Sequence, residues 1–255
     1  DLGYATNFGI EVPDPERFGI MEIENKDGEV YIKSVEEKPE HPKSNKASMG
    51  VYVFNWEDLK KYLIEDEANE ESSNDFGKNI IPAMLNDNKR LFAYEFDGYW
   101  KDVGTIDSLW DANMDILNPN IPLDLDDKSW RIYARNRALP PHFVAKGAKI
   151  QNSLIADGCE IGGDVYDSVI FSGAEVEKGA EVSYSVIMPG AKIKKGAVVK
   201  YSIVAQDAVV EKGAKVGDSP EEFKNNIDKW GITTIGPNYV VKEKEVIAPK
   251  EMVEA

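Results

Sequence analysis

Three consecutive stretches decide the fold of the second half: SVIFSGAEVEKGAEVSY (168–184), SVIMPGAKIKKGAVVKY (185–201) and SIVAQDAVVEKGAKVGD (202–218). Each is 17 residues long, and they align without a gap. Aliphatic residues recur in steps of six: Ile170, Val176 and Val182, then Ile187, Ile193 and Val199, then Val204, Val210 and Val216. Lys178-Gly179-Ala180, Lys195-Gly196-Ala197 and Lys212-Gly213-Ala214 keep the same register. A step of six fits neither the 3.6-residue period of a helix nor the two-residue period of an alternating strand. It fits a three-sided solenoid in which each face supplies one short strand and one inward aliphatic residue. Glycine at the corners lets the backbone turn where a Cβ would clash. An ordinary sandwich of short strands would not hold one register over successive turns.

Working back toward the N-terminus, Val144 and Ile150, and Ile155 and Ile161, show the same step, and the coil beginning at Asn152-Ser153-Leu154-Ile155 is two residues shorter. Working forward, the stack is interrupted after Val216. Residues 220 to 230 read as a short helix with Phe223, Ile227 and Trp230 on one face, and Ile235, Val241 and Ile247 then resume the step in a terminal coil. Because each coil buries its aliphatics only against its neighbours, the ends need cover. The inserted helix is a candidate cover or an oligomer contact.

The first half has a different texture. Val30 to Val35 reads as a strand after the Lys26-Asp27-Gly28 turn, and Met49 to Phe54 as a fully buried strand. A helix follows with Asn55 as N-cap and Trp56, Leu59 and Leu63 inward; another runs from the cap Thr105 through Leu109, Trp110 and Leu117. Strands alternating with helices indicate an α/β domain. The expected organisation is residues 1–117 as part of that domain, residues 118–143 as a linker with prolines at 119, 122, 140 and 141, and residues 144–255 as the solenoid.

Bulk properties narrow the function. The 255 residues carry 30 basic and 46 acidic side chains, a formal net charge of −16. Such a surface repels nucleic acid and anionic lipid but leaves room for a small anionic substrate in a locally basic pocket. No apolar run has the length of a membrane span and no leader pattern opens the chain, so a cytoplasmic location is expected. The single Cys159 precludes an internal disulfide and a cysteine metal cluster, and His41 and His142 sit beside prolines as loop residues. The chain opens on Asp1, and we expect a piece of a longer protein.

Four stretches of the first half carry candidate chemistry. Glu36-Glu37-Lys38-Pro39 closes a strand with a lysine that can hold a phosphate as a point charge. Ala47-Ser48-Met49-Gly50-Val51-Tyr52 offers a hydroxyl and a glycine at a strand start; Ser72 to Lys78 is a polar loop before a helix. Gly98-Tyr99-Trp100-Lys101-Asp102-Val103-Gly104-Thr105 brings a carboxylate and two aromatics to a helix N-terminus, where the carboxylate can share Mg²⁺ with phosphates. Taken singly, each is as easily a solvated turn, a strand start or a turn aspartate.

Taken together with Phe18-Gly19-Ile20-Met21, and followed by hexapeptide coils, their order closely resembles the sugar nucleotidyltransferases, and among them the glucose-1-phosphate adenylyltransferase family. The resemblance covers essentially the whole chain. It implies an α/β nucleotidyltransferase-like domain, present in part, followed by a left-handed parallel β-helix. It further implies that Gly19, Glu37, Lys38, Ser48, Tyr52, Asp75, Phe76 and Trp100 surround glucose 1-phosphate, with Lys38 on its phosphate, and that Asp102 holds the catalytic Mg²⁺. The reaction implied is transfer of the adenylyl group of ATP to glucose 1-phosphate, under allosteric control, in a homotetramer or with a related subunit. The chain departs from the family pattern in one respect: the glycine-rich triphosphate loop, its arginine and the first metal aspartate are not found, so the ATP half is expected to lie outside these residues.

Other readings are weaker. Asp75-Phe76-Gly77 suggests a protein kinase, but the kinase glycine-rich loop, strand lysine and catalytic loop are missing. A mannose-1-phosphate guanylyltransferase-like enzyme stays open, because base selection lies in the part not found. A non-catalytic regulatory subunit would be expected to lose Lys38 or Asp102. A hexapeptide acyltransferase would use a histidine near its solenoid, and there is none after Val144.

Overall fold

The computed structural model describes residues 4–134 and 138–254. Three residues of the expected linker, 135–137, and the two chain ends lie outside them. The chain divides into two compact units, one up to Trp100 and one from Lys101. The helix capped by Thr105 is part of the second unit.

Among its described residues the first unit holds five strands: β1 (Ala5–Glu11), β2 (Gly19–Lys26), β3 (Glu29–Glu37), β4 (Lys46–Phe54) and β5 (Leu91–Glu95). They close in the order β1-β4-β2-β3-β5, with only the β1 and β5 pair parallel. Asp27 and Gly28 both have positive φ and form the tight β2 to β3 hairpin turn. Two helices cover the sheet, α1 (Trp56–Glu67) and α2 (Ile81–Asn86), and Asn55 Oδ1 caps α1 by accepting from Glu57 N at 3.1 Å. The core comprises Met21, Ile32, Tyr62, Ile80, Ile81, Met84 and Leu91.

Two expectations are corrected here. The strand expected to be fully buried is half-buried: Tyr52 and Phe54 pack on the core while Val51 and Val53 are 47% and 60% exposed. Strand side chains alternate, and only one face of β4 meets the core. Trp56 is 60% exposed, because the inward face of α1 centres on Leu59, Tyr62 and Leu63 and the first-turn Trp56 lies on its shoulder.

The second unit contains α3 (Ile106–Asp115) and the solenoid. Three parallel sheets of six strands each, the arrangement of a left-handed β-helix, stack the aliphatics in three columns. One runs Ile150, Val165, Val182, Val199, Val216, Ile247. The second runs Ile155, Ile170, Ile187, Val204, Ile235, Val253. The third runs Val144, Ile161, Val176, Ile193, Val210, Val241. From Ile161 to Ile247 these side chains are buried; Val144 and Ile150, in the first coil, are open on one side.

A short corner and an insertion break the sequence register. The short coil reaches its column with Val165, four residues after Ile161, because Gly162-Gly163 cuts the corner. A Cβ on Gly163 would lie 2.7 Å from the Glu177 carbonyl oxygen and closer still to that of Ala180, so only glycine fits. The repeated serines form a buried ladder: Ser185 N donates to Ser168 Oγ at 3.1 Å, and Ser202 N to Ser185 Oγ at 3.2 Å. Each hydroxyl in turn donates to the carbonyl two residues before it. The insertion after Val216 is not one helix but two single 3₁₀ turns, Pro220–Phe223 and Ile227–Lys229, broken at Asn226 (φ −156°). Trp230 packs on the solenoid while Ile227 faces solvent, so the three expected residues do not share a face.

Candidate active site

Glu37 ends β3, paired with Gly19 at the start of β2. Its carboxylate sits between two glycines: a Cβ on Gly19 would meet Glu37 Oε2 at 2.8 Å, and one on Gly77 would meet it at 3.3 Å. Both glycines therefore allow a carboxylate to approach the backbone. Lys38, the next residue, has φ +47°, a conformation that side-chain-bearing residues seldom adopt. Lys38 N donates to Phe18 O at 3.0 Å, and its ammonium lies 3.6 Å from Glu37 Oε1 on a side chain 66% exposed. The chain thus leaves the strand in a turn that presents a largely solvated cation beside a fixed carboxylate.

A second group of polar and aromatic side chains comes from β4 and the following loop. Ser48 Oγ donates to Asn7 Oδ1 at 3.0 Å, accepts from Gly50 N at 3.3 Å and lies 3.3 Å from Tyr52 Oη. The Tyr52 ring stacks on Phe76, 5.6 Å between centroids and 17° between planes. Phe76 is placed by Asp75, whose Oδ1 accepts from Lys78 N at 2.8 Å and starts the helical turn Phe76–Ile80 leading into α2. Asp75 therefore acts locally as a cap. Trp100 packs edge-on against Phe18, 5.7 Å away, directly beside Gly19.

Of the residues expected at the site, Gly19, Glu37, Lys38, Ser48, Tyr52, Asp75, Phe76 and Trp100 all fall in the first unit and are linked by these contacts. Asp102 falls in the second. It is exposed, and its Oδ1 accepts from Gly104 N at 3.2 Å in the loop before α3. Lys101, beside it, is held by Asp111 and by Asp115 at 2.7 Å. Among the described residues no cluster of three or more His, Cys, Asp or Glu side chains can hold a metal by itself. A lone exposed carboxylate suits Mg²⁺, which retains waters and takes phosphate oxygens for the rest of its shell.

The sequence reading did not pick out Asn7. It is buried, it receives the Ser48 hydroxyl, and its Nδ2 has no hydrogen-bond partner among the described residues. No spacing or motif marks it in β1, which also carries Thr6 and Glu11. A cavity of about 220 Å³ lined by Gly9, Glu11, Met21, Lys46 and Glu95 shares none of the expected residues.

Residues 2–119 match the nucleotidyl transferase family model, and residues 140–235 match the GlmU-like C-terminal hexapeptide model. The glucose-1-phosphate adenylyltransferase of Clostridium botulinum (strain Alaska E43 / Type E3) is 55% identical over 176 residues. The chain is a relative of that enzyme. The match takes in 68% of this chain and 45% of the Clostridium protein. The enzymes of the same name from Bacillus cereus (strain ATCC 14579) and Bacillus thuringiensis (strain Al Hakam) are each 54% identical over 172 residues, 67% of this chain and 45% of theirs. The chain thus spans about half the length of these relatives. It carries a nucleotidyl transferase domain followed by a hexapeptide-repeat β-helix.

Proposed function

We propose that this chain supplies the sugar-phosphate side of a glucose-1-phosphate adenylyltransferase, which makes ADP-glucose and pyrophosphate for glycogen synthesis. The observation that carries the reading is the Glu37-Lys38 turn, which sets a solvated ammonium beside a carboxylate held between Gly19 and Gly77. In this assignment Lys38 holds the phosphate of glucose 1-phosphate. Glu37, Ser48 and Tyr52 are the hydrogen-bonding groups for sugar hydroxyls, and Phe76 and Trp100 form apolar walls. Asp75 serves through Phe76, whose turn it caps.

The chemistry is in-line transfer. A phosphate oxygen of the sugar phosphate forms a bond to the α-phosphorus of ATP, and the bond from that phosphorus to the bridging oxygen breaks, releasing pyrophosphate. Such transfers depend on positioning and fixed charge more than on a covalent nucleophile. Asp102 would hold Mg²⁺, which when bound neutralises phosphate charge. The triphosphate loop is not among the 255 residues, so ATP contacts are not assigned to them. We further assign a cytoplasmic location and an oligomer, either a homotetramer or an assembly with a related subunit. No helix among the described residues is long and apolar enough to cross a membrane.

Kinetics of two variants in the catalytically competent form of the protein test the assignment. Lys38→Ala removes a contact made in both ground and transition states, so it should raise the KM for glucose 1-phosphate and change kcat and the KM for ATP much less. Asp102→Asn should lower kcat by two orders of magnitude or more, roughly 3 kcal/mol of transition-state stabilisation. An unchanged sugar-phosphate KM in Lys38→Ala would remove the lysine from the phosphate site. Wild-type kinetics in Asp102→Asn would make it an ordinary turn aspartate.

A further inference from the structure

We infer that Trp110 is a positioning residue for Asp102, and that a tyrosine corner of the β-helix is the anchor through which it acts. The inference rests on the proposed role of Asp102 and goes beyond it by naming what holds that carboxylate in place.

The corner is unusual in its residue choice. Asn152, Asp167, Tyr184 and Tyr201 each precede a serine of the ladder, and all four have φ between +44° and +48°. Asn and Asp tolerate this left-handed conformation, whereas bulky side chains are rarely found in it. Asparagine or glycine would make the same turn with less strain, so the turn does not explain the two tyrosines. Strain at a defined position motivates a search for what it supports.

What it supports is α3. The Tyr184 and Tyr201 rings stack 4.7 Å apart and 10° from parallel, one coil above the other. Trp110 Nε1 donates to Tyr184 O at 2.8 Å, and its ring lies 5.9 Å from that of Tyr201. Trp230 also packs edge-on against Tyr201 at 5.5 Å, with its own Nε1 donating to Asp218 O. Leu109, Trp110 and Met114 of α3 pack on the buried Val186, Ile203 and Ile232 of the same unit.

Asp102 is tied to this helix at both sides. Before it, the Lys101 ammonium is held by Asp111 and Asp115 of α3. After it, Thr105 caps α3 through a reciprocal pair with Ser108. Only residues 102 to 104 lie between those two attachments, and Gly104 N is bonded to Asp102 itself. A displacement of α3 along the corner therefore carries Asp102 with it, and catalytic geometry is sensitive to shifts of about 1 Å.

The test uses Trp110→Phe, which keeps most of the packing and loses the Nε1 hydrogen bond, and Trp110→Ala, which loses both. In the 255-residue chain, amide exchange over residues 101 to 108 should accelerate about tenfold in Trp110→Ala and less in Trp110→Phe. Exchange of the coil amides at Ile187 and Val204 should not change. In the catalytically competent form, the Mg²⁺ concentration for half-maximal rate should rise several-fold while the KM for glucose 1-phosphate stays at the wild-type value. Unchanged exchange over residues 101 to 108, in Trp110→Ala or in Trp110→Phe should the former not fold, overturns the anchor. Faster exchange with unchanged Mg²⁺ dependence overturns the positioning of Asp102 if Asp102→Asn alters that dependence. If Asp102→Asn leaves it unaltered, the proposed role of Asp102 fails instead, and the positioning inference that rests on it fails too.

Discussion

Gly163→Ala probes the packing of the solenoid at a tight corner. The corner at Gly162-Gly163 shortens one coil, and the added methyl would meet the Glu177 carbonyl oxygen at 2.7 Å and that of Ala180 closer still, with Val176 Cγ1 at 3.0 Å. Two of the three neighbours are backbone atoms already held in the coil above, so relief requires moving the coil and not rotating a side chain. Forced insertion into a packed core costs about 1–3 kcal/mol, and backbone neighbours argue for the upper end. Alanine also lowers the entropy of the unfolded chain, returning about 0.4–1 kcal/mol. The net expectation is a loss of roughly 2 kcal/mol. Gly196→Asn is the control: its φ of +72° suits asparagine, and a Cβ there would have nothing within 4 Å. Urea denaturation followed by far-UV circular dichroism should show a clear fall in midpoint for Gly163→Ala and little change for Gly196→Asn. Equal midpoints for Gly163→Ala and the unsubstituted chain would mean that the short corner does not close as described.

Ile193→Asp places an unpaired carboxylate in a fully buried column, a burial cost that the solenoid cannot offset, so the second unit should lose its circular dichroism signal; retention of a native spectrum would contradict the column. Acid titration offers a milder probe. The Glu177 carboxyl is held below its usual range chiefly by the hydrogen bond from Lys194, then by the amide of Lys195. A depressed carboxylate pKa stabilises the fold above the unfolded-state value, and this is lost as pH falls through the lowered folded-state value. Glu177→Gln should therefore lower stability slightly at neutral pH and not at the acid end, and the effect should be small because the group is partly exposed; an identical offset at every pH would mean that the carboxylate charge plays no part.

The solenoid was legible because its register is a property of spacing alone. Ile170, Ile187 and Val204 stack at a separation of 17 residues, and a run of equal coils displays that step in the sequence. Val165 escaped that reading because a double glycine shortened its step to four. The serine ladder showed as a repeat without showing its hydrogen bonds, since Ser185 is as compatible with an exposed corner as with a buried one. In the first unit, an apolar run such as that of β4 does not state which of its faces is covered, and Val51 and Val53 proved to lie on the open one. The motif residues around Glu37 were recognisable as an ordered set. Asn7 was not, because no spacing sets it apart from Thr6 and Glu11 in the same strand, and the Trp110 anchor was not, because its partners lie 74 and 91 residues away.

The most direct test of the central claim is a titration of the 255-residue chain with glucose 1-phosphate, read by amide chemical shifts, alongside Lys38→Ala and with glucose 6-phosphate as comparison. Saturable shifts are expected at Gly19, Lys38, Ser48, Tyr52 and Gly77, weakened at least tenfold by Lys38→Ala if the lysine–phosphate contact contributes about 1.4 kcal/mol or more. Glucose 6-phosphate should bind more weakly, because its phosphate leaves the opposite end of the sugar. Shifts that do not saturate, or that saturate equally in Lys38→Ala, would contradict the assignment of this surface to a sugar 1-phosphate.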